Sequence, residues 1–236
     1  MTPEIRSTIE ATWPAAALHR VGPWLIREGR GGGKRVSAAS AEGPVTAADL
    51  PVMEAAQARL GQPPLVQIAG EAPETDALLA EAGYAVVDPV VVYAAPVERL
   101  TGEVPHLAAF TVWPPLAVQR EIWAEGHIGP DRWAVMDRVT GPKTSLFARA
   151  DDRPAGTGFV AIHEGIAMLH ALEVLPGLRR RGAAGHMLRA AANWAAANGA
   201  TTFSLVVTEA NAGARALYAS LGMEVVGQYH YRMKQA

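Results

Sequence analysis

Two stretches of this chain can be laid over each other. ALLAEAGYAVVDPVVVY, residues 77–93, matches ALYASLGMEVVGQYHYR, residues 216–232, at a shift of 139 residues. Gly83 falls on Gly222, Val86 and Val87 on Val225 and Val226, and Leu78 on Leu217. In the second copy the apolar residues recur at helical spacing, and in both they stop at a glycine and give way to a β-branched or aromatic run. That reads as helix, glycine stop, strand. Such units are common, so the match is either a chance likeness or the trace of a duplicated fold. Duplication is the stronger constraint, because 236 residues would then hold two related halves, a comfortable length for two domains.

The rest of the chain alternates in the same way. Trp24–Glu28 reads as a strand, GRGGGKRVSA as a glycine turn leading into a second, residues 48–60 as a helix closed by Gly61, and LVQIAG as a buried strand. VERLTGEVP, 97–105, is polar and turn-rich, which places a boundary near residue 101 and gives two segments, 1–101 and 102–236. In the second segment HLAAFTVW, KTSLFARA, GTGFVAIHEG, IAMLHALEVL, TTFSLVVTE and MEVVGQYHYRMK read as strands. Residues 115–139 read as two helices broken at Gly129-Pro130, and further helices follow Gly182 and Asn211. The expected class is α/β or α+β with a mixed sheet.

Composition removes several functions. Half the residues are apolar, 19% are charged, and the formal net charge is −2, which suits a soluble globular protein rather than a disordered chain or a nucleic-acid binder. With no cysteine, disulfides, thiolate metal sites and a cysteine nucleophile drop out. The seven histidines show no metal-ligand spacing, so no metal is expected. No segment has the roughly 20 apolar residues of a membrane span, and MTPEIRSTIEATW does not read as a signal peptide. The expectation is a cytoplasmic protein with no membrane partner. GRGGGKR, 29–35, lacks the first glycine of a nucleotide P-loop (Glu28 stands there) and has Arg35 where a magnesium-binding hydroxyl belongs, so it reads as a hairpin turn.

LPGLRRRGAAGHML, 175–188, places Arg179, Arg180 and Arg181 before Gly182, Ala183, Ala184 and Gly185 at the entrance of a helix. Unpaired backbone N–H groups and the helix dipole make such an entrance an anion site, and glycine lets a phosphate come close. A basic surface turn on an ordinary helix fits the loop equally well. Its surroundings add more. Leu172-Glu173-Val174 and Pro176 precede the loop, and Asn211 stands seven residues before Tyr218, followed by Gly222-Met223. Together these resemble the acyl-CoA signature of the GNAT superfamily of N-acyltransferases over residues 104–236, with Ala184 in place of the more usual second glycine.

The resemblance implies a mixed, mostly antiparallel sheet flanked by helices, in tandem with a smaller, degenerate copy of the fold. It also implies transfer from acetyl-CoA to an amine by direct attack. Residues 179–185 would hold the pyrophosphate, backbone groups of Leu172, Glu173 and Val174 would pair with pantetheine and polarise the thioester, and Asn211 would bond the pantetheine arm or loop. Tyr218 would protonate the departing thiolate. The family's carboxylate bases fall near Met168 and His170 or on Val206, so none is present; His170 and Glu173 are the remaining candidates, alongside a water chain. The acceptor lid would comprise the helix pair with Glu121, Glu125 and His127, together with Tyr229, His230, Tyr231 and Arg232, and its acidic rim suits a cationic amine. In the first half Leu79 and Ala72 stand where Tyr218 and Asn211 stand, so that half is expected to be structural and the second to bind acetyl-CoA alone. A monomer or homodimer is expected. The alternatives are an acyl-CoA-binding or sensing module without catalysis, and a transferase using another acyl-CoA.

Overall fold

The computed structural model describes residues 1–70 and 72–234. The first segment contains α1 (Pro3–Thr12), β1 (Ala17–Val21), β2 (Trp24–Glu28), β3 (Ser40–Ala41), α2 (Leu50–Arg59), β4 (Leu65–Ala69), α3 (Pro73–Glu81) and β5 (Tyr84–Pro96). After an irregular stretch come β6 (Ala109–Val112), α4 (Ala117–Glu125), α5 (Pro130–Arg138), β7 (Lys143–Ala150), β8 (Arg153–His163) and β9 (Ile166–Val174). The chain continues through α6 (Ala183–Ala197), β10 (Thr202–Thr208), α7 (Ala212–Ser220) and β11 (Glu224–Lys234).

Eight strands form one sheet in the order β4-β11-β5-β10-β9-β8-β7-β6, while β1, β2 and β3 form a small sheet of their own. Every neighbouring pair in the large sheet is antiparallel except β9 and β10. The mixed, mostly antiparallel sheet is therefore the one the sequence led us to expect. Alternation along β8 shows how its two faces are used: Val160 and Ile162 join the core under α6, whereas Phe159 and Ala161 join the core under α4 and α5.

The 139-residue shift carries α3, 73–81, onto α7, 212–220. Gly83 and Gly222 end these helices with φ of 84° and 76°, a conformation that favours glycine. Strand pairing repeats too, since Val66↔Arg232 is the image of Leu205↔Tyr93, and Val86↔Arg232 is the image of Tyr93↔Val225. Tyr229↔Val90 is its own image, so a local two-fold axis passes near that pair. The parallel bridge Ala39↔Val66 also has a counterpart in the parallel pair Leu169↔Leu205, with Val66 on Leu205 at the same shift but Ala39 on Leu169 at a shift of 130 residues.

Each half thus lends its last strand to the other. β5 lies between β11 and β10, and β11 lies between β4 and β5. Residues 102–236 do not hold the whole of their own sheet: β5, whose Val91–Ala95 are all buried, comes from the first half. MTPEIRSTIEATW, to which the sequence reading assigns no element, forms α1, with Thr2 as N-cap and Pro3 in the first turn, and this helix packs on β8 and β9. GRGGGKR is no tight hairpin turn; it belongs to a long connection from β2 to β3 that folds through a short 3-10 turn at Lys34–Val36.

Candidate active site

β9 and β10 pair from Thr202↔Ile166 to Leu205↔Leu169 and then diverge. Divergence begins at a β-bulge, where Thr157 pairs with Glu173 and Phe159 with His170, so that Gly158 faces both Ala171 and Leu172. Ala171 takes a φ of 50°, and its carbonyl accepts a hydrogen bond from Trp123 Nε1 of α4 at 2.8 Å. The bulge leaves Leu172 packed toward the α6 core while His170 faces α1, and backbone groups of 170–174 on the β10 side have no strand partner.

One cavity opens on the α6–α7 side of this splay. Its volume is about 770 Å³, and Leu172–Val174, Arg179, Arg180, Gly182–Gly185, Asn211 and Tyr218 line it. Gly182, with φ of 84°, is the N-cap of α6 and offers no side-chain cap, which leaves the first-turn N–H groups directed at the cavity. At α7 the opposite holds: Asn211 Oδ1 accepts from Ala214 N at 3.1 Å, so its amide oxygen is spent on the cap. Tyr218 is buried, its ring centroid 5.7 Å from that of Tyr93, and desolvation pushes its phenol up to about 12, so it carries its proton at neutral pH.

The three loop arginines separate. Arg179 folds back, donating from Nε to Val174 O at 2.9 Å and from Nη2 to Glu173 Oε1 at 2.9 Å. Arg181 pairs with Asp151 and is not among the residues lining the cavity. Arg180, at φ 63°, lines it without a carboxylate partner among the described residues. Two of the three cations therefore fasten the loop. The helix entrance in the first half differs, because α2 starts at Asp49, whose carboxylate accepts from Thr46 N at 2.8 Å and places negative charge there.

A second cavity, about 280 Å³, opens on the α1 side of the same splay, lined among others by Trp13, Arg35, Asp88, His170, Ala171, Tyr229 and Tyr231. The alternation noted in the sequence holds, since Tyr229 and Tyr231 are buried side by side with ring centroids 5.6 Å apart. His230 and Arg232 face the other way and bind Asp76 at 2.8 and 2.7 Å. Glu121, Glu125 and His127 are exposed and do not line this cavity.

Of the two candidate bases, neither is free. Glu173 is held by Arg179. His170 is buried, with Nδ1 3.0 Å from Arg35 Nη1 and Nε2 2.8 Å from Thr12 Oγ1; desolvation first, and the Arg35 charge second, hold its pKa well below the usual histidine value. Arg35, Thr12 and Trp13 were not singled out as site residues in the sequence. The triple glycine reads as a hairpin turn, and no local signal ties residue 35 to residue 170.

Residues 110–223 match the model of the Acetyltransferase (GNAT) family. An N-acetyltransferase of Bacillus subtilis (strain 168), YobR, itself uncharacterized, is 26% identical over 98% of both chains. A GCN5-related N-acetyltransferase from Kribbella flavida has a similar fold, with a TM-score of 0.67 and 21% identity over 94% of this chain and 90% of that one. So has a tandem GNAT protein from the clavulanic acid biosynthesis pathway, with a TM-score of 0.60 and 13% identity over 76% and 66%.

Proposed function

The chain belongs to the GNAT family of acetyltransferases through its domain at residues 110–223, and from that premise we propose that it transfers the acetyl group of acetyl-CoA directly to an amine in a ternary complex. The observation that carries this reading is that two cavities meet at one splayed strand. Leu172–Val174 face the larger cavity and His170–Ala171 the smaller, so a donor and an acceptor can approach the same backbone from opposite sides.

The chain's own groups supply the following steps. The uncapped N–H groups of Ala183, Ala184 and Gly185, with Arg180, hold the pyrophosphate at the α6 entrance. Unpaired backbone groups of 172–174 orient pantetheine and polarise the thioester carbonyl. The amine attacks from the α1 side, the tetrahedral carbon collapses, and Tyr218 gives its proton to the leaving sulfur. Because His170 and Glu173 are engaged, the amine's proton leaves through water in the smaller cavity. Asn211 shapes the α7 end of the cleft as a helix cap, with its amide nitrogen left for pantetheine.

The same lack of a free base favours a second reading, a module that binds acyl-CoA without transferring it. One assay separates the two: thiol release from acetyl-CoA across a panel of amines, run beside calorimetry of acetyl-CoA binding. Release with any amine supports transfer. Binding without release from any amine supports the module, and no binding overturns both.

A further inference from the structure

We propose that the acceptor carries a carboxylate beside its amine, and that the Arg35 guanidinium with the Tyr229 hydroxyl holds that carboxylate on the α1 side of the splay. The inference deepens the acetyl-transfer reading and rests on it.

Arg35 does not behave as a structural arginine in this protein. Arg27, eight residues earlier, shows what one looks like: buried, ion-paired with Glu10 at 2.6 Å, and bonded to Ala38 O and Ser40 Oγ, each at 3.1 Å. Arg35 places one Nη1 donor on His170 and lies over the Trp13 ring, 5.8 Å from its centroid. Its Nε is buried with no hydrogen-bond partner, and no carboxylate pairs with it among the described residues. A guanidinium has five donors in a planar fork, and leaving buried ones unused is costly. The cost is met if a bidentate anion arrives.

A second orphan faces the same space. Tyr229 is 3% exposed, and its buried hydroxyl has no hydrogen-bond partner among the described residues. Both residues line the 280 Å³ cavity, whose size suits a small acceptor. The charges around it agree. Lys34, Arg35 and Arg132 line the cavity, while the only carboxylate doing so among the described residues, Asp88, is already paired with Lys34 at 2.6 Å. A cationic acceptor would meet unopposed positive charge there, so the expectation of an acidic rim is replaced by its opposite.

Position completes the argument. Arg35 touches residue 170, and the backbone that would polarise the thioester begins at Leu172, two residues farther along. That is about 6–7 Å of extended strand, less at a bulge. An α-amino acid can bridge such a gap, with its carboxylate on the guanidinium and its nitrogen toward the thioester.

Three matched sets test this by thiol release: the twenty common L-amino acids, their amides, and the corresponding decarboxylated amines. Carboxylate-bearing acceptors should exceed their matched amides and amines by roughly 10²-fold in kcat/KM. In Arg35→Gln that preference should vanish with acetyl-CoA affinity unchanged, and Arg35→Lys should restore part of it. Equal or better turnover of the amides or amines by the wild-type protein overturns the subsite, as does a preference that survives Arg35→Gln. If no amine releases thiol from a protein that binds acetyl-CoA, the transfer reading fails. Calorimetry of N-acetyl-L-amino acids against N-acetyl amino-acid amides on the CoA complex then decides the subsite. Preferential binding of the acids upholds it, and equal binding or none overturns it.

Discussion

His170 Nδ1 accepts a hydrogen bond from Arg35 Nη1 at 3.0 Å, and the other side of the ring fixes its tautomer. Thr12 Oγ1 donates to Thr8 O at 2.6 Å, so at its 2.8 Å contact with His170 Nε2 it accepts, and the ring is neutral with its proton on Nε2. Both nitrogens are committed, which makes this histidine a positioning residue for Arg35.

A stability profile follows from that pair. Burial holds the folded pKa of His170 well below the ordinary histidine value of about 6.5, so the unfolded chain takes up a proton first as pH falls. The stability this group contributes is complete above about pH 6.5 and is lost below it, by up to about 1.4 kcal/mol per pH unit until the folded ring also titrates. Denaturant melts between pH 7.5 and 5 should show wild type losing more stability than His170→Gln, and the His170 ring signals in NMR should stay constant through pH 6. A ring that titrates near 6.5 would end the positioning argument.

Tyr218→Phe removes only a hydroxyl from a buried ring packed on Tyr93. Acetyl-CoA affinity and the melting temperature are expected to change little, while kcat drops roughly 10²- to 10⁴-fold, the span of a general acid. Steady-state kinetics with calorimetry separates the two effects. Unchanged turnover would leave Tyr218 as a packing residue alone.

The glycines at the α6 entrance predict opposite changes in stability. Gly182 sits at φ 84°, and a Cβ there would come within 3.2 Å of the His186 ring, so Gly182→Ala should cost about 1–2 kcal/mol. A Cβ on Gly185 meets nothing within 4 Å, and in a helix Gly185→Ala should stabilise by up to about 1 kcal/mol. If the glycine is there for a phosphate, that same variant should bind acetyl-CoA more weakly despite being more stable. Gly182→Glu, which adds a carboxylate at the helix entrance, should bind weakest. Tight binding by all three would remove the loop from the cofactor site.

What could be read in the sequence was local. Gly182 and Asn211 announce their helix entrances and Tyr218 its helix face through spacing along the chain, and the repeat gave the register of α3 onto α7 to the residue. Pairing between distant residues could not be read. No pattern near residue 35 names His170 as its partner, since 135 residues separate them. The same limit hid the strand exchange: VVDPVVVY announces a buried strand, but periodicity says nothing about which half covers it. Charge has the same limit, because nothing in the run Arg179–Arg181 announces that Glu173 and Asp151 lie beside its first and last members.

The exchange of β5 and β11 sets the last prediction. Residues 104–236 alone would keep β10 and β11 but lose the strand between them, uncovering the core that the buried Val91–Ala95 fill and leaving β10 with one unpaired edge and β11 with two. That fragment is expected to be insoluble or to melt without cooperativity, and so to lose acetyl-CoA binding although every loop and helix of the cofactor cleft is present. Co-expression of 1–103 with 104–236 should recover a soluble complex. The cut falls in the irregular stretch before β6, and each piece then regains its internal strand from the other. Circular dichroism melts and calorimetry on the fragment and on the complex measure this directly. A lone 104–236 that folds cooperatively and binds acetyl-CoA as tightly as the intact chain would mean that β5 is a covering strand rather than a part of the catalytic half.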